Sequence, residues 1–139
     1  MFNFIIYCKI FFWNKVIKKK MNKCGPRALW RDILKPSKKK LTQKRICTII
    51  NHINLFYNGL DNVCVLKSTV TAKLLSSQHS IKLKLGVKNS LFYDYIKKIT
   101  NYSGKQIPHF HCWITIDDKT IESPFWEYMW DIIYVYEVV

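Results

Sequence analysis

The run Ile81-Lys82-Leu83-Lys84-Leu85-Gly86-Val87 alternates apolar residues with lysines, with Gly86 in the place of a third lysine. A period of two is the mark of a half-buried strand, apolar side chains turned to a core and lysines to water. The residues before it supply a cover for that apolar face. Asp61 to Leu75 reads as a helix, with Leu66, Val70 and Leu74 recurring every four residues as a buried stripe. Asp61 or Asn62 suits its N-cap, and it ends near residues 77–79.

A second strand signal follows. Pro108 to Glu122 reads as a β-hairpin with Asp117-Asp118 at the turn. Side chains alternate along a strand, so Phe110, Cys112, Ile114 and Ile116 share the core-like face, while His109, His111, Trp113 and Thr115 share the other. A two-residue turn pairs Trp113 with Glu122 and sets Glu122 on the histidine face, diagonal to His111. A three-residue turn puts Ser123 there instead. The chain closes with an aromatic stretch (Phe125, Trp126, Tyr128, Trp130) and an apolar strand over 132–139.

Upstream, Thr42 caps a helix over 42–57 with Ile46, Ile49, Ile50, Ile53 and Phe56 at helical spacing, and Asn58-Gly59 stops it. Residues 27–34 suit a short helix after the Gly25-Pro26 break, and Pro36-Ser37-Lys38-Lys39-Lys40 is a basic connector. Phe2 to Trp13 is apolar but too short to span a bilayer, and Lys9 interrupts it. Lys15, Lys18, Lys19 and Lys20 follow this run, the reverse of a signal peptide, and no small-residue cleavage site comes after. Ile6, Ile10, Trp13 and Ile17 share one helical face. That face either packs on the domain or makes peripheral contact with a membrane through residues 1–20. Met21 offers an alternative start. Residues 89–106, where 91–96 suit a short helix or an irregular excursion, read as a variable insertion over the site.

These pieces give an α+β fold: helices ahead of a small antiparallel sheet of three or four strands, with the helix of Cys64 packed on one face. Residues 1–40 form an N-terminal helical and basic segment, and 41–139 the main domain. The length of 139 residues suits one core. The five cysteines are odd in number and form no CxxC pair, which argues against a disulfide scaffold and fits a reducing cytoplasm.

Cys64 in a helix's first turn lies beside backbone N–H groups that favour the thiolate. A cysteine at a helix start, a histidine on a strand and a polar residue on the hairpin's partner strand follow the order of a papain-like or transglutaminase-like site. The same cysteine read without that context is a small buried apolar residue. Cys112 points away from His111 and makes a poor nucleophile.

The segments Cys64 to Leu75, Ile81 to Val87 and His111-Cys112-Trp113-Ile114 together resemble the lasso-peptide biosynthesis B-type protein. That family is the transglutaminase-like leader peptidase of lasso-peptide (microcin) clusters. Its pattern is a cysteine opening a leucine-rich helix, a strand ending in Gly-Val, and His-x-Trp on the next strand. The likeness covers roughly residues 42–139. It implies Cys64 as nucleophile and His111 as general base, then acid. The family's third member is usually an aspartate after the hairpin turn. This chain has Glu122-Ser123 there, with Asp117 and Asp118 in the turn itself; Glu122 is the expected orienting group. The resemblance also implies a precursor leader peptide as substrate, and two partners: a small leader-recognition protein and an ATP-dependent macrolactam synthetase. A degenerate, inactive relative that only binds peptide fits the missing aspartate.

Rival classes are weaker. His109-x-His111-Cys112 is half a zinc site, but Cys112 faces away and no second cluster supplies ligands, so neither metal nor cofactor is expected. His109 reads as a rim or loop residue, and His52 and His79 as helix-surface residues. The net charge of +14 favours acidic partners, an acidic leader included, and lysines with tyrosines would suit a nucleic-acid-binding module. The lysines are spread along the whole chain without a reader motif, so no nucleic-acid partner is expected.

Overall fold

The computed structural model describes residues 3–37, 40–60, 62–75, 80–89, 91, 98, 110–121 and 130–138. Four helices come first: α1 (Phe4–Met21), α2 (Pro26–Ile33), α3 (Gln43–Phe56) and α4 (Cys64–Leu75). Strands β1 (Ile81–Lys88), β2 (Phe110–Ile116), β3 (Lys119–Thr120) and β4 (Trp130–Val138) follow. They form one antiparallel sheet in the order β3-β2-β1-β4. The α+β class read from the sequence is the class observed.

Local chemistry sets the helix ends. The Asn3 side chain accepts from the backbone N–H groups of Ile5 and Ile6, and the Thr42 hydroxyl accepts from Arg45 N–H. Pro26 opens α2, where its missing N–H costs nothing. The cap of α4 differs from expectation. Lys67 N–H donates to the Val63 carbonyl at 2.7 Å, so Val63 holds the N-cap position, and Asn62 before it has a left-handed φ of 58°. Valine has no side-chain acceptor to close the first turn.

Helix α4 lies at the centre, packed against β1, β2 and the other three helices. The expected stripe is therefore too narrow. Ser68, Thr69, Thr71 and Ala72 are buried along with Leu66 and Val70. The polar ones are satisfied: Thr69 and Thr71 donate to the carbonyls of Val65 and Lys67, and Trp30 Nε1 donates to Thr69 Oγ1 at 2.8 Å. Trp30, fully buried, stacks on Tyr134 of β4 and pins α2 to the sheet. Ile6, Ile10 and Ile17 of α1 join the same apolar core as α2, α3, α4 and the sheet.

His52 is a correction. It is 6 % exposed rather than a surface residue of α3. Its Nε2 accepts from Asn3 N–H at 2.8 Å, so its proton sits on Nδ1, which donates to the Thr48 carbonyl. A helical-surface reading missed it because the start of α1 folds back over α3. Tyr57, at the end of α3, donates its hydroxyl to Asn14 Oδ1, and burial raises its phenol above the ordinary value.

In the sheet, the β1–β2 register pairs Ile81 with Ile116, Leu83 with Ile114 and Leu85 with Cys112. The turn after β2 has two residues, and Asp117 and Asp118 are both left-handed (φ 51° and 66°), as a two-residue hairpin requires. Asp118 also pairs with Lys82 at 2.9 Å, a hydrogen bond that raises the lysine's pKa. Strand β4 carries an irregularity: Gly86 faces Ile132 while Leu85 faces Tyr134, leaving Ile133 extra.

Candidate functional site

Cys64 is the first residue of α4 and is half-buried. Ser68, four residues on, shares its side of the helix. The Ser68 hydroxyl donates to the Cys112 carbonyl at 3.2 Å, so this side of α4 faces β2. Between them opens a cavity of about 330 Å³, walled by α3, the loop before α4, α4 itself and β2. Its lining includes Cys64, Lys67, Ser68, Asn54 and the run Phe110 to Ile114. Lys67 has no carboxylate partner among the described residues, so the wall carries a cation beside the N-terminal end of α4. An extended peptide or a small acyl group matches that size and lining.

His111 belongs to the β2 wall of this cavity, and its ring also takes part in an aromatic stack. Directly opposite His111 in the register is Gly86, on the sheet face that carries Trp113. A side chain on Gly86 would come within 2.9 Å of both the Trp113 ring and Trp130 Cβ. On the same face the His111 imidazole stacks on Trp130, centroids 5.0 Å apart, and on Trp113 at 5.6 Å. Cys112 and Ile114, on the other side of β2, lie in the core with α4, whereas Trp113 is buried apart from it. Alternation along β2 thus sets the His111 side chain on the face opposite Cys112 and Ile114.

Of the three expected site residues, the structure brings Cys64 and His111 to the lining of one cavity. Glu122 lies outside the described residues, as do Ser123, His109, His79, Asp61 and nearly all of the 89–106 insertion. Asp118, exposed in the turn, serves Lys82. Cys112 is buried on the core face, as strand alternation requires. Among the described residues no group of three His, Cys, Asp or Glu side chains is placed to hold a metal ion.

Three further contributors escaped the sequence reading. Ser68 had a signal, its four-residue spacing from Cys64. Gly86 had one too, since a glycine inside a strand often marks a close approach by other groups. Lys67 had none beyond lying one turn into the helix.

Among the described residues, the fold and cavity define an α+β domain of four helices and a four-stranded antiparallel sheet, with a helix-terminal cysteine on a cleft. Comparison with known proteins adds no name: no family model matches the chain, and neither a curated protein nor a solved structure matches it.

Proposed function

We propose that this chain is a cysteine peptidase with a transglutaminase-like arrangement, cleaving the leader from a ribosomally made precursor during lasso-peptide maturation. The observation that carries the reading is Cys64 as the first residue of a helix, opening onto a peptide-sized cavity walled by a β-strand. In this reading the Cys64 sulfur attacks the carbonyl joining leader to core, and its proton passes to His111. N–H groups of the first turn of α4, which Val63 does not cap through its side chain, stabilise the oxyanion. His111 returns the proton to the leaving amine as the C–N bond breaks. Water then hydrolyses the thioester, releasing the leader carboxylate and the thiol. Glu122 orients the imidazole. The +14 charge and Lys67 suit an acidic leader. A leader-recognition protein would present it, and a separate ATP-dependent synthetase would close the freed core amine into a macrolactam. Five free cysteines suit a reducing cytoplasm.

The stack of His111 on Trp113 and Trp130 favours a second reading. An imidazole held there serves the sheet rather than the thiol, and the cavity then binds peptide without cutting it.

The deciding experiment mixes the full chain with a precursor peptide encoded beside its gene and the recognition protein, and follows product by mass. Cleavage at one bond, abolished in Cys64→Ala, supports the peptidase. Tight binding with no cleavage supports the second reading, and neither binding nor cleavage sinks both.

A further inference from the structure

The opposite faces of α1 are both apolar. Ile6, Ile10 and Ile17 are buried, with Trp13 half-buried beside them. Displaced by two residues, and so turned by roughly half a circle, Phe4, Phe11 and Phe12 are exposed at 69 %, 50 % and 56 %, with Ile5 at 64 %. Along the outward side the character changes with position. Aromatic and aliphatic residues predominate over Phe4 to Phe12, with exposed Cys8 and Lys9 among them, and lysines at 15, 18, 19 and 20 continue it, all exposed. The Lys15 ammonium lies 5.5 Å from the Phe11 ring centre, at the junction of the two zones. The sequence contains no acidic residue before Asp32.

From this arrangement we infer that the outward face of α1 docks the folded protein on an anionic phospholipid surface. Phe4, Ile5, Phe11 and Phe12 enter the headgroup–acyl boundary, and the lysines at the helix's end contact phosphates. The geometry is that of a helix lying in the interface plane: an apolar stripe, flanking cations, and a second stripe holding the domain. No helix among the described residues is long and apolar enough to cross a membrane, so this contact is peripheral. Charge selects the lipid surface over other occupants. A second copy docking by the same face would bring two sets of lysines together with no carboxylate on either helix to offset them. A duplex nucleic acid would engage the lysines but leave the phenylalanines without a role, and a single strand stacking on the rings would leave the aliphatic Ile5 without one. The inference is independent of the peptidase reading, since α1 lends its inner face to the core and its outer face to nothing in the cavity.

The test is co-sedimentation of the full chain with vesicles of phosphatidylcholine alone and of phosphatidylcholine mixed equally with phosphatidylglycerol. Binding is expected only to the mixed vesicles and should weaken with added salt. Lys18→Gln/Lys19→Gln/Lys20→Gln should lower the partition coefficient on the order of a hundredfold. Phe11→Ser/Phe12→Ser keeps the charge and, with both side chains exposed, should keep the fold by circular dichroism; it should lose roughly tenfold or more. Equal binding to neutral vesicles, or undiminished binding by the folded phenylalanine variant, would overturn the proposal, the latter by showing adsorption through net charge alone. So would absence of vesicle binding, including the case where the phenylalanine variant turns a dimer into a monomer.

Discussion

On the helix side of β2, Cys112 and Ile114 sit in an apolar core shared with all four helices; on its other side, His111 and Trp113 join Trp130 in an aromatic stack over Gly86. The first face is closed by many small apolar contacts and a few hydrogen bonds from α4. The second depends on a space that a single missing side chain leaves open. Core faces of the first kind tolerate repacking, whereas a face built around one glycine does not. The candidate thiol belongs with the first face and the candidate imidazole with the second, while both residues line the one cavity.

Substitutions on each face sharpen that contrast. The largest effect is expected on the helix side. Trp30→Ala removes a fully buried indole, its stack on Tyr134 and its bond to Thr69, and should cost about 3–5 kcal/mol in urea unfolding. On the far face, Gly86→Ala adds only a methyl group, yet it meets the Trp113 ring and Trp130 Cβ at 2.9 Å and should cost about 1–3 kcal/mol. It should also alter the near-ultraviolet circular dichroism of the tryptophans. A tolerated Gly86→Ala would mean that the aromatic stack is loose. Ser68→Ala should lose about 1 kcal/mol, because it takes away the donor bonded to the Cys112 carbonyl between α4 and β2.

The smallest effect concerns pH. Because burial raises Tyr57, the folded state keeps the phenol protonated where the unfolded chain releases it. Its contribution is fully present below the phenol's ordinary value, about 10, and falls as pH climbs through the folded value. Tyr57→Phe should therefore flatten the alkaline loss of stability measured by urea unfolding, while leaving Asn14 without its donor. An unchanged alkaline slope would argue that Tyr57 is not buried.

Much of this was legible in the chain. The lysine alternation of 81–87 marks β1, paired aspartates mark the two-residue turn, and Thr42 and Gly25-Pro26 mark helix starts. The alternation that put Cys112 in the core also put His111 across the strand from α4. The sequence reading grouped His111 with Cys64 from their order along the chain, and both line the one cavity, but that order says nothing about which sheet face a helix covers. The stack on Trp130 was out of reach for a different reason. It joins residues of β2 and β4, which are not neighbours in the chain, and no local period reports such a contact. His52 failed likewise: its partner Asn3 is 49 residues away.

The central claim is that Cys64 is an activated nucleophile that draws on His111. The most direct measurement is the alkylation rate of each of the five cysteines at neutral pH, read by mass spectrometry in wild type and His111→Ala. Cys8 and Cys47 are exposed and serve as internal standards, while Cys64 is half-buried and, as an ordinary thiol, should react more slowly than either. The account predicts that Cys64 reacts faster than both and that His111→Ala removes the advantage. A Cys64 slower than Cys8 and Cys47, with a rate indifferent to His111, would contradict it.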